Sequence, residues 1–164
     1  MFFSRWTLYQ GLVFLAMMGL SFGADLFKYH FAIPTIIPVQ QLLLSLSFII
    51  IVVGLVSLLF YFQSKKSDTF LVHRLWDKMP KIIIFILCIS IVIFIAAANP
   101  IMALIESYRI TFYLILYYFI YMTNLLVLAF VHKNAKSTIT NDRKVSTAFW
   151  WTCFLFLFLQ FMFT

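Results

Sequence analysis

A chain of 164 residues that is 65% hydrophobic and 10% charged, with a mean hydropathy of +1.05, is not built for water, where domains carry about 25% charged residues. Its net charge of +7 does not signal nucleic acid, because the basic residues lie in short stretches between apolar runs. The composition predicts an all-α, polytopic transmembrane helical bundle, with residues 1–164 forming a single membrane domain.

A bilayer core about 30 Å thick needs roughly 20 apolar residues of helix. Five runs meet or approach this, at residues 6–23, 39–62, 82–104, 110–131 and 147–163. In the first, Ala16, Gly19 and Gly23 form a small-residue row with a GxxxG pair, spacing that lets helix backbones approach closely. It is read as a packing face within this protein, with docking to another chain as the second reading. Arg5, the apolar run and Ser21-Phe22-Gly23 also resemble a secretory signal, whose cleavage would leave four spans. Retention is expected, because the run approaches spanning length.

The stretch 24–38 is largely apolar and holds Pro34 and Pro38. Proline disfavours helix continuation, so this stretch is expected to be a loop at the membrane interface or folded over the helix ends. His30, near Asp25 and Lys28, reads as an interfacial histidine, and a pH-sensitive contact is the alternative. In the second run Ser47, Gly54 and Ser57 share a face and make a seam for another helix.

Residues 67–79 have amphipathic spacing. Leu71, Leu75 and Met79 share one side with Val72 and Trp76, while His73, Arg74, Asp77 and Lys78 lie opposite. The pattern predicts a short helix on the inner leaflet, started by Ser67 or Asp68 and followed by Pro80 in the first turn of the next span. A docking surface for a cytoplasmic partner is the second reading.

The middle of the chain, NPIMALIESYRITFY, raises two options. The third span kinks at Pro100 and turns at Glu106–Arg109, with a fourth helix from Ile110, or one helix runs from Pro100 to His132, about 50 Å at 1.5 Å per residue. The hairpin is favoured. On a helical wheel Glu106, Tyr113, Tyr117 and Asn124 fall within about 40°, flanked by Arg109 and Tyr121. This row is the candidate ligand- or partner-facing stripe. Its simpler reading is an aromatic belt with hydrogen bonds between helices.

Lysine and arginine alternate with the runs. Ten lie at Arg5, in the second connection (Lys65, Lys66, Arg74, Lys78, Lys81) and in the fourth (Lys133, Lys136, Arg143, Lys144). The other two are Lys28 and Arg109. The positive-inside rule then puts the N-terminus inside and the C-terminus outside, with anionic headgroups against the inner connections.

Motifs for catalysis are absent: there is no GxSxG, HExxH or phosphate-binding glycine loop, and Cys88 and Cys153 sit alone in apolar runs. No cofactor or metal is implied. None of the five acidic residues falls in mid-span, which argues against an ion-coupled pathway. The expected function is therefore interaction: an accessory, regulatory or immunity-type subunit binding another membrane protein, or itself, in a bacterial cytoplasmic membrane. A small transporter ranks second. A headgroup-modifying enzyme using Asp25, His30, Glu106 and Arg109 ranks third.

Overall fold

The computed structural model describes residues 4–31, 38–67, 70–71, 74–135 and 139–162, apart from the side chains of residues 27–31, 38–42 and 74. Six α-helices follow in order: α1 (Arg5–Phe31), α2 (Pro38–Lys66), α3 (Met79–Ala96), α4 (Ala98–Ser107), α5 (Ile110–Asn134) and α6 (Asn141–Met162). All but α4 are long and apolar enough to cross a membrane. The chain is thus an all-helical integral membrane protein with five candidate spans.

Three boundaries differ from the sequence expectation. First, α1 runs eight residues beyond Gly23, so much of the expected outer loop is helix. Residues 24–31 contain neither proline nor glycine, and nothing local stops the ladder. Pro38 opens α2, where its missing N–H costs no helical bond. Pro34, and the side chains of Lys28 and His30, lie outside the described residues.

Second, the expected span 82–104 is two helices. Ala97 leaves helical geometry at φ −101°, ψ 22°. Pro100 is the cause: it has no N–H for the carbonyl of Ala96, and its ring crowds that carbonyl. The ladder resumes when the Ile101 N–H reaches the Ala97 oxygen at 3.0 Å. Tyr108 then becomes extended at φ −137°, ψ 92°, and α5 starts at Ile110. The hairpin boundary holds, and the continuous helix from Pro100 is not formed.

Third, residues 67–79 do not make the expected amphipathic α-helix. Among the described residues they form a turn at Phe70–Leu71 and one 3-10 turn, Arg74–Asp77. Leu71 and Trp76 are buried in the bundle. The Trp76 indole N–H donates to the Phe70 carbonyl, and the two rings meet edge to face. Burying both large side chains against the bundle outweighs laying them on lipid, and the backbone bends to allow it. Asp68 and His73 lie outside the described residues. Pro80 does occupy the first turn of α3.

Two helices make the centre. α2 packs against α1, α5 and α6, and α5 against α1, α2, α3 and α6. Val52, Val53 and Val56 of α2 meet Ile120, Leu128 and Ala129 of α5 in the fully buried core. The outer faces carry Phe85, Val92 and Ile95 on α3 and Trp150, Phe154 and Phe161 on α6, all exposed. Lipid solvates such faces without cost, so burial alone does not fix how the helices align.

Polar side chains supply that alignment. Gln10 Nε2 donates to Gln63 Oε1 at 2.9 Å, joining α1 and α2. Ser21 and Tyr117 join α1 and α5 at 2.8 Å, and Asn124 and Ser57 join α5 and α2 at 2.7 Å. Ser90 and Tyr118 join α3 and α5 at 2.6 Å, and Gln160 donates to Ser45 at 3.1 Å between α6 and α2. Lys144 and His132 approach to 3.4 Å across α6 and α5. Each packed pair of spans thus has its own side-chain bond, worth about 0.6 kcal/mol in a membrane. Their larger effect is on register, because an unpaired group in hydrocarbon is costly.

Candidate functional site

The tyrosine row turns into the bundle. Tyr117 and Asn124 are buried, and Tyr113 and Tyr121 half-buried. The Tyr117 hydroxyl meets Ser21 Oγ and also donates to the Met17 carbonyl at 3.0 Å. Asn124 reaches the Val53 carbonyl at 3.5 Å as well as Ser57. Tyr121 stacks on Phe60, with ring centroids 5.2 Å apart, and Tyr113 approaches Phe48 at 6.1 Å. Between the two hydrogen-bonded centres, Ile120 is fully buried and interrupts the polar line.

The outer end of the row is split. Glu106 belongs to α4 and is exposed, on the far side of the Tyr108 break from Tyr113. Arg109 is also exposed, and its Nη1 lies 3.4 Å from Asp25 Oδ1 of α1. Tyr113 stands between two hollows here. One, of about 290 Å³, includes Ile105 and Arg109, and the other, of about 50 Å³, includes Ser21 and Asp25. Asp25, Ser21 and Ser57 are partners that the sequence reading did not assign to the row. The sequence carries no signal for the serine pairings, since each serine could as well bond its own helix.

The small-residue face of α1 has the opposite fate. Ala16 and Gly19 are exposed and Gly23 is half-buried. A Cβ placed on Gly11, Gly19 or Gly23 would meet nothing within 4 Å. The expected packing face within this protein is therefore not one. α1 packs instead through Val13, Met17 and Ser21, one helical face away. In the α2 row the seam is partly realised: a Cβ added to Gly54 would lie 3.8 Å from the Phe149 ring of α6, Ser57 holds Asn124, and Ser47 is exposed.

The basic ends of the helices gather at one end of the bundle. Lys65 at the end of α2 pairs with Asp142 at the start of α6 at 2.6 Å, and Trp76 stacks on His132 at 5.7 Å. Two grooves descend from this end along α6. One, of about 620 Å³, lies between α5 and α6 and includes Val127, Phe130, Lys144, Trp151 and Phe158. The other, of about 570 Å³, lies between α2 and α6 and includes Gly54, Tyr61, Asp142, Arg143 and Phe149. Neither is lined by Tyr117, Tyr121 or Asn124.

Chemically, these arrangements offer hydrogen-bonded helix contacts and apolar grooves with charged mouths. Among the described residues no three His, Cys, Asp or Glu side chains converge on a metal position. Cys153 is buried and Cys88 faces outward, both as free thiols. Comparison with known protein families, characterised proteins and solved structures gives no match for this chain.

Proposed function

We propose that this protein is a small interaction subunit of the membrane, accessory or regulatory to another membrane protein, which it contacts through α1. The observation that supports this is the open face of Ala16, Gly19 and Gly23. Among the described residues no other helix sits on it, and a Cβ on Gly19 or Gly23 would meet nothing within 4 Å. Small residues let a second helix approach until backbones touch, and dispersion then favours protein over lipid as the neighbour. The polar groups that a catalyst or conduit would employ are spent on joining helices. In this reading the protein lies in a bacterial cytoplasmic membrane with its basic end inside, which places the N-terminus inside and the C-terminus outside.

The test compares wild-type protein with Gly19→Ile after cross-linking in native membranes. A Cβ at residue 19 meets nothing within 4 Å among the described residues, so the substitution should leave monomer stability within about 0.5 kcal/mol of wild type. A specific membrane protein cross-linked to the wild type and lost from Gly19→Ile supports the reading. Cross-linking to a second copy, lost in the same variant, supports self-association instead. Identical cross-links in both proteins, or none, overturn it.

A further inference from the structure

We infer that the α5/α6 groove is a binding site for one anionic phospholipid, whose phosphate sits on Lys144 and whose acyl chain lies along α6. The inference starts from a charge in the wrong place. Lys144 is only 8% exposed, and no ion pair among the described residues includes it. Its ammonium has three donors and no acceptor, yet its one side-chain partner is Nδ1 of His132, at 3.4 Å. A buried cation without a counter-charge is strongly unfavourable, so this position calls for an anion. Of the acidic side chains near it, Asp142 is held by Lys65 and lines the other groove. Asp77, whose charge also reaches His132, is exposed, lies outside this groove and makes no ion pair with Lys144.

The groove defines the rest of the ligand. Below Lys144 its walls are Val127, Phe130, Trp151, Phe154 and Phe158. From Lys144 to Phe158 α6 descends about 21 Å at 1.5 Å per residue, more than one leaflet of a core about 30 Å thick. A single apolar channel topped by a cation matches a lipid's own order of chain below and phosphate above. Lys144 is also in the first turn of α6, where the helix dipole favours negative charge. A basic pocket between transmembrane helices is a recurrent way to hold an acidic headgroup. A free phosphate would leave the apolar walls unfilled.

Delipidated protein in a non-ionic detergent, titrated with dioleoyl phosphatidylglycerol or dioleoyl phosphatidylcholine and followed by native mass spectrometry, tests this. Wild type should retain the phosphatidylglycerol at least about fivefold more tightly, the worth of one basic residue beside an anionic surface. Lys144→Met should bring the two lipids together, and Lys66→Met, an exposed lysine away from the groove, should leave the preference intact. Thr147→Trp keeps the charge but fills the exposed groove one turn below Lys144, and should lose the bound lipid; it also carries the test if Lys144→Met does not fold. Equal retention of both lipids by wild type overturns the site. So does a preference that survives either groove variant, or glycerophosphoglycerol binding as tightly as the lipid.

Discussion

Replacing Tyr117 with phenylalanine isolates what the polar row contributes, because the ring and its packing stay and only the hydroxyl leaves. That hydroxyl makes two contacts, with Ser21 Oγ at 2.8 Å and the Met17 carbonyl at 3.0 Å. Loss of the hydroxyl strands no donor, since Ser21 Oγ already donates to the same Met17 carbonyl at 3.1 Å. The two hydroxyl protons serve three contacts, so the variant costs one hydrogen bond without a desolvation penalty, about 0.6 kcal/mol in a membrane. Ser21→Ala should cost a similar amount, because Tyr117 still reaches Met17. The double variant should cost about the sum of the two, because either hydroxyl alone still reaches the Met17 carbonyl. Reversible unfolding in mixed micelles, with sodium dodecyl sulfate as denaturant and helicity as the signal, measures all three. A loss above about 2 kcal/mol from Tyr117→Phe, beyond what one such bond delivers in membranes, would refute the reasoning. A double variant no less stable than either single variant would refute the shared use of the Met17 carbonyl.

Gly19→Ile should leave unfolding of the isolated protein within about 0.5 kcal/mol of wild type, as for a surface substitution. Gly54→Leu should destabilise it by about 1–3 kcal/mol, since even a Cβ there is already 3.8 Å from the Phe149 ring and the longer chain overpacks α2 against α6. Arg109→Gln should shift stability by less than about 1 kcal/mol, because its pair with Asp25 is exposed, and the difference should shrink in high salt. Pro100→Ala returns an N–H to the Ala96 carbonyl and should straighten the join of α3 and α4. Spin labels at residues 86 and 105 should then move apart, and an unchanged separation would show that the bend has another cause.

What the sequence made legible followed from constraints that act locally. Hydrocarbon thickness set the five spans, and Pro80 and Pro100 marked a start and a break because a missing N–H acts on its own helix. The tyrosine row was legible as a face, since 100° per residue needs no partner to compute. Which neighbour that face meets is a tertiary choice, and so Ser21 and Ser57 were not paired to it in advance. Gly19 and Gly23 show the limit most clearly. Small residues permit a close approach, but Val13 and Met17 offer more contact area, and α1 turned that side inward. The segment 67–79 failed for a related reason: its apolar spacing fits lipid and bundle equally, and Trp76 turned in against the His132 ring of α5 while bonding the Phe70 carbonyl of its own segment. Lys144 read as one more inner-side charge because its sequence neighbours are charged, while its burial depends on α5 alongside.

The break at Ala97 also has a consequence for where the protein can reside. It limits α3 to 18 residues, about 27 Å, while α2 extends 29 residues, about 44 Å. α3 is therefore a low wall in a bundle whose central helix α2 is taller. A thick bilayer would have to dimple at α3 or draw α4 down into its core, whereas a thinner one fits α3 unchanged and lets α2 tilt. Membrane thickness thus acts on this protein as a lever whose fulcrum is a single proline, and a thin bilayer would fit α3 with the least distortion.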